Sequence, residues 1–267
     1  MPTSPIDALR ARLLTGRLVA STRRVSTLDV PTRAAMWALY ESFYLRVDAR
    51  SFDADLSEKD HVILVRDAGD GSVQGFTTLR VYRHRGPEGP CVIVFSGDTI
   101  IAPRYHGQTA LQRAFVRYVM ATVVREWRLP VYWFLISKGV RTYLLLSRNF
   151  LSYWPRHDAP TPPAMRTLID ELASDRFGAA YQRDLGLVRW QPPGPCLAAG
   201  VAPLDPQALA RPDVRFFLSV NPGAEEGDEL CCLGRVDLAM GANYLKRLVK
   251  RTIGQGRSGG GGGHAGA

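Results

Sequence analysis

The sequence predicts an α/β fold, and three observations lead there. Residues 92–101, Val-Ile-Val-Phe-Ser-Gly-Asp-Thr-Ile-Ile, form an apolar run that reads as a strand. It feeds through Pro103-Arg104-Tyr105-His106-Gly107-Gln108-Thr109 into a helical pattern reaching Trp127. Other apolar or alternating runs lie on both sides. The chain has 267 residues, 46% of them hydrophobic, enough for a substantial core.

Each element follows from its pattern. Residues 32–45 place Ala35, Leu39 and Phe43, with Trp37, Tyr40 and Tyr44, at helical spacing. Residues 61–66 are a short apolar strand, and Asp67-Ala68-Gly69-Asp70-Gly71-Ser72 has the residues of a turn. Residues 73–83 alternate as a second strand, and Gly86-Pro87-Glu88-Gly89-Pro90 turns the chain into the run at 92–101. Leu111, Phe115, Val119, Thr122 and Val123 then form a helical stripe, with Arg113, Arg117 and Arg125 off it. Residues 129–137 read as a buried strand and 140–147 as a short helix.

Beyond Trp190, Gln191-Pro192-Pro193-Gly194-Pro195 breaks the chain. There follow a strand at 216–220, a turn at Asn221-Pro222-Gly223, an acidic stretch at 224–229 and a strand at 230–236. The expected division is a basic amphipathic segment at 1–24, a core at 25–190, an extension at 191–255 and a disordered Gly-rich tail at 256–267.

A strand entering a helix through a Gly-containing turn leaves backbone N–H groups free at the positive end of the helix dipole, which suits an anion such as a pyrophosphate. The segment resembles the acyl-CoA-binding strand–loop–helix of the GCN5-related N-acetyltransferase (GNAT) superfamily, whose loop follows Arg/Gln-x-x-Gly-x-Gly/Ala. In one register Arg104 opens the motif and Thr109 replaces a small residue. In the other, His106 replaces an Arg and Leu111 replaces the last small residue. Both registers share Gly107. The order helix, strand, hairpin, loop, helix, strand, helix is also that of the superfamily.

The resemblance implies a GNAT-like α/β fold, with a mixed, mostly antiparallel central sheet flanked by helices and a C-terminal extension. It implies an N-acyltransferase that uses a coenzyme A thioester, acetyl-CoA or a longer acyl-CoA, as donor and an amine as acceptor, with no metal. The donor-binding residues would be Ile100, Ile101, Arg104, His106, Gly107, Gln108, Thr109 and Ala110. In the superfamily a helix Tyr commonly protonates the departing thiolate. Its position is Leu145 here, and Tyr143 lies about 200° away around a helix. Tyr143 is thus a catalytic candidate only if the local register differs, and otherwise a packing residue.

Asp98 is the candidate base, because a carboxylate in an apolar strand must be paired, solvated in a cleft or shifted in pKa. Its alternation places it on one pleat face with Ser96 and Ile100. A structural pairing with one of the arginines is the other reading.

Cys91, Cys196, Cys231 and Cys232 make no metal-ligand spacing. With no secretory signal or apolar run long enough to span a bilayer, a cytoplasmic location is expected. The net charge of +9 is concentrated at the ends: +4 in residues 1–24 and +5 in residues 238–267. Both ends are amphipathic, which suits an anionic membrane surface or an acyl carrier protein better than nucleic acid, for which no signature is present. Solvated helices packed on the core are the alternative. Three functions remain open: acyl transfer to an amine, a long-chain variant at a membrane making an N-acyl amino acid or lipid-like product, and a non-catalytic protein with the same fold.

Overall fold

The computed structural model describes residues 16–198 and 206–247. In chain order the elements are β1 (Leu18–Arg24), α1 (Val30–Phe43), β2 (Tyr44–Leu45), α2 (Ala49–Ser57), β3 (His61–Asp67), β4 (Val73–Gly86), β5 (Gly89–Ile101), α3 (Ala110–Arg125), β6 (Val131–Ser137) and α4 (Val140–Asn149). They continue as β7 (Tyr153–Trp154), α5 (Pro163–Phe177), β8 (Tyr181–Gln182), β9 (Leu187–Val188), β10 (Cys196–Leu197), α6 (Pro206–Leu209), α7 (Pro212–Val220) and β11 (Glu229–Val236). Residues 238–247 are helical.

The main sheet has the order β1-β3-β4-β5-β6-β11-β9-β8, with β7 also on β11. Every pairing is antiparallel except β5 with β6. A parallel pair needs a crossover, and α3 supplies it. The β4–β5 hairpin closes at Gly86↔Gly89, where Gly89 takes φ +109.

Both sheet faces are covered. On one, Leu111, Ala114 and Val119 of α3, Tyr143 and Leu146 of α4 and Phe217 of α7 pack with Val92 and Val94 of β5. On the other, α5 sets Met165, Leu168 and Leu172 against Ile93 and Phe95. Beside it, Met36 and Tyr40 of α1 and Phe52 and Leu56 of α2 close over Phe76 and Ile100. Asp29 and Asp48 cap α1 and α2 by accepting from Thr32 and Ser51 backbone N–H. Among the described residues no helix is long and apolar enough to cross a membrane.

Three expectations are corrected. The run at 216–220 is helical, because Pro212 at the helix start fixes the first turn and Val214 and Phe217 bury one face. A five-residue run with four apolar residues does not distinguish a strand from a buried helix face. The sheet does not close at residue 190: β11 lies inside it, paired with β6 from Leu230↔Ser137 to Val236↔Val131. Residues 18–24 of the expected basic segment form a strand paired with β3. Residues 1–15 of the expected basic segment, the Gly-rich tail and residues 248–255 of the expected extension lie outside the described residues.

Candidate active site

β5 pairs with β6 from Val92↔Val131 to Ser96↔Leu135 and no further, so the parallel strands part beyond Ser96. On the other edge of β5, Thr77 pairs with Thr99 and Leu79 with Ser96, so Thr78 faces both Gly97 and Asp98. That extra residue is a β-bulge, which reverses the alternation and re-aims side chains. Ser96 accepts from Trp133 on the α3 face, while Ile100 packs in the core under α1. The expected common face for Ser96 and Ile100 is therefore corrected, and the bulge is the reason. Gly97 is required here, since a Cβ would stand 2.6 Å from Thr78 Oγ1 and 3.2 Å from Lys59 Cε.

A cleft of about 780 Å³ opens where the strands part. Tyr40, Tyr44 and Phe52 wall one side, and Lys138, Arg141 and Trp190 contribute to the rest. Asp98 lies half-buried in it, and Gly107 lies on its rim. Among the described residues no hydrogen bond or ion pair reaches the Asp98 carboxylate. Burial and then Asp55 push its pKa up, Lys138 and Lys59 oppose them, and it settles at about 6.

The neighbouring carboxylates are compensated. Glu229 meets Lys138 Nζ at 2.9 Å and accepts from Trp190 Nε1 at 3.1 Å. Asp55 meets Lys59 Nζ at 2.6 Å and Arg176 Nη2 at 3.1 Å. Asp98 thus has the unsatisfied acceptor capacity that a proton acceptor needs.

The turn before α3 forms the other part of the cleft. Gly107 has φ +93, and a Cβ there would meet nothing within 4 Å. Gln108 donates from Nε2 to Gly16 O at 2.8 Å, and Tyr105 donates to Asp67, which fixes the turn against the strand β3 end. Arg141 donates to His106 Nδ1 at 2.9 Å, so the ring donates from Nε2 to Ile101 O at 3.1 Å. Burial, then Arg141, lowers the His106 pKa and keeps the ring neutral. Thr109 precedes the first helical residue, Ala110, without a side-chain cap, so the first-turn N–H groups retain their donor capacity.

Of the expected donor residues, Ile101, His106, Gly107 and Gln108 line the cleft. Thr109 and Ala110 form the helix entry behind them. Ile100 is buried under α1, and the exposed Arg104 stacks over the Tyr105 ring at 4.9 Å.

Tyr143 lies elsewhere. It is fully buried, donates to Pro155 O at 3.1 Å and packs 5.5 Å from the Phe217 ring. Thr142 and Leu145 present the cleft-facing side of α4 instead, as the 200° separation requires. Sequence reading also passed over Lys138, Arg141, Glu229 and Trp190 as site residues. Lys138 had a local signal, a cation at the end of a buried strand. Glu229 and Trp190 arrive from distant segments.

An antiparallel run through β5, a parallel β5–β6 pair that parts midway, and a crossover helix with its N-terminus at the opening form the implied arrangement. The fold is GNAT-like. No family model matches the sequence, and no curated protein is similar to it at a significant level. Solved structures are similar over about half of the chain. A probable N-acyltransferase from Enterococcus faecalis is 11% identical over 49% of this chain and 33% of its own, with a TM-score of 0.36. Arabidopsis thaliana NAA60, in complex with a bisubstrate analogue, is 12% identical over 51% of this chain and 87% of its own, with a TM-score of 0.38. The Escherichia coli GNAT protein YhbS, in complex with CoA, is 14% identical over 52% and 67%, with a TM-score of 0.32. The chain spans one third of the length of the Enterococcus protein. Among the described residues no group of His, Cys, Asp or Glu could hold a metal ion.

Proposed function

We propose that the cleft transfers an acyl group from a coenzyme A thioester to an amine. The observation that supports this is a single cleft joining the Gly107 turn to an unpaired Asp98. The pyrophosphate would take the first-turn N–H groups of α3, with Arg141 adding a forked cation beside the turn. The thioester would lie between the parted strands, where the β5 edge from Gly97 onward has no β6 partner. Backbone donors on such an edge polarise a carbonyl as negative charge develops.

The amine must be neutral to attack. Asp98 would take its proton, directly or through one water, as the nitrogen bonds the carbonyl carbon. Collapse of the tetrahedral adduct breaks the C–S bond, and the thiolate takes its proton from water, since Tyr143 points away. Orientation within the cleft would supply much of the rate.

Calorimetric titration with acetyl-CoA and a long-chain acyl-CoA tests the reading. Micromolar binding of either is expected, and binding is lost in Gly107→Arg, whose side chain would enter the space beside the turn. Failure of both donors to bind, or unaltered affinity in that variant, overturns it. The apolar wall formed by Phe43, Phe52 and Leu197 favours a second reading, in which a longer acyl chain, delivered from acyl-CoA, a carrier protein or a membrane, is transferred. Tighter binding of the long-chain donor than of acetyl-CoA distinguishes it.

A further inference from the structure

A second cavity, of about 810 Å³, opens beside the C-terminal half of α3. Its chemistry differs from that of the cleft. Arg24, Arg33, Lys59, Arg83 and Arg125 line it against two carboxylates, Asp60 and Glu126.

The register brings its centre together. Arg24 of β1 is the cross-strand partner of His61 of β3, so the two side chains emerge side by side. They do so on the α3 face, because Leu18 and Ala20, at even positions of β1, and Ile63 and Val65, at odd positions of β3, pack in the core under α3. Tyr118 of α3 closes over them, its hydroxyl 3.1 Å from His61 Nδ1 and its ring 5.6 Å from the imidazole. Arg125 follows seven residues later, which returns to the same helix face.

The acids there are partly engaged. Glu126 is bridged by Arg83 at 3.0 Å and Arg125 at 3.3 Å, and Asp60 accepts from Val81 N–H at 2.7 Å. The Arg24 guanidinium has no hydrogen-bond or ion-pair partner among the described residues. Two guanidinium groups, and the one O–H or N–H that the Tyr118–His61 hydrogen bond leaves free, present forked and single donors around one concavity to a compact polyvalent anion.

We propose that this cavity binds a phosphate dianion, as free phosphate or a phosphomonoester, through Arg24, His61, Tyr118 and Arg125. The site is separate from the donor turn. About eight residues of α3, roughly 12 Å at ~1.5 Å per residue, lie between the helix entry and Tyr118, and about fifteen, roughly 22 Å, between that entry and Arg125.

The donor turn also attracts anions, so the test is made in Gly107→Arg as well as in the parent chain. Inorganic phosphate is titrated by calorimetry at low salt. Binding should persist in Gly107→Arg and weaken by at least about tenfold in Arg24→Gln and in Arg125→Gln, each having lost a charge-assisted donor. Both arginines are exposed, so these changes leave the core intact. Circular dichroism checks this, and His61→Gln provides a third variant. Glycerol phosphate and vesicles containing phosphatidic acid then identify the source: preference for the soluble ester assigns a free phosphomonoester, and Arg24-dependent vesicle binding assigns a headgroup. If none of the three probes binds, or if binding is the same in Arg24→Gln and Arg125→Gln, the site is refuted. Loss of phosphate binding in Gly107→Arg alone would return it to the donor turn and also refute the proposal.

Discussion

Thr78 of β4 faces two residues of β5, and one of them is Asp98. The other is Gly97, whose Cα lies so close to Thr78 that a single added methyl group would collide with Oγ1 at 2.6 Å. The carboxylate therefore owes its position in the cleft to the absence of a side chain next to it.

Gly97→Ala should cost about 1–3 kcal/mol of stability through overpacking. Thermal unfolding measures that cost. Turnover should fall further than the folded fraction does, because Asp98 moves with the bulge; an enzyme with normal turnover after correction for folding would detach the bulge from catalysis.

As the proposed base, Asp98 predicts a pH dependence. With its pKa raised to about 6, the proposed base is neutralised below that pH, so kcat at saturating amine should rise by about tenfold per pH unit up to pH 6 and then level. Asp98→Asn should abolish this limb and lower the rate by about 10²–10⁴.

The same shift has an opposite effect on stability. The folded state binds a proton more tightly than the unfolded chain, so this group's contribution falls as pH rises from the ordinary carboxylate value of 3.8 through about 6. Asp98→Asn should therefore be more stable than the parent at pH 7.5 and should lose that advantage near pH 4. Paired urea titrations at the two pH values measure the difference.

Tyr143→Phe separates packing from chemistry. It removes the bond to Pro155 O, costs about 0.5–1.5 kcal/mol and leaves kcat unchanged. A large drop in kcat with unchanged stability would make the tyrosine catalytic.

Lys138→Met leaves Glu229 buried with only the Trp190 N–H as partner. Removing one partner of such a pair costs about 3–5 kcal/mol. Denaturant unfolding should register it, and the double variant Lys138→Met/Glu229→Gln should recover part of the loss.

The sequence made the Gly107 side of the cleft legible and the side around Glu229 and Trp190 far less so. The strand, turn and helix from 92 to 125 are local, and Gly107 is readable as a residue needing positive φ. The bulge is not local: it requires knowing that Thr78 sits opposite both Gly97 and Asp98. Glu229 and Trp190 reach the cleft only because β11 inserts beside β6. Helix α5 was open to reading, since Met165, Leu168, Ile169, Leu172 and Ala173 follow helical spacing after Pro163. The strand expected at 216–220 failed because its four apolar residues carry no period of their own.

The place of β11 has a consequence for how the molecule is made. A strand near the carboxyl end of the described chain lies inside the sheet, with β6 on one side and β7 and β9 on the other. Everything emitted earlier by a ribosome must wait with the β6 edge unpaired until residues 229–236 emerge. Such long-range closure makes folding slow and leaves an aggregation-prone edge exposed in the interval. Glu229 travels on that same strand, so the cleft gains its last carboxylate only when the sheet is completed.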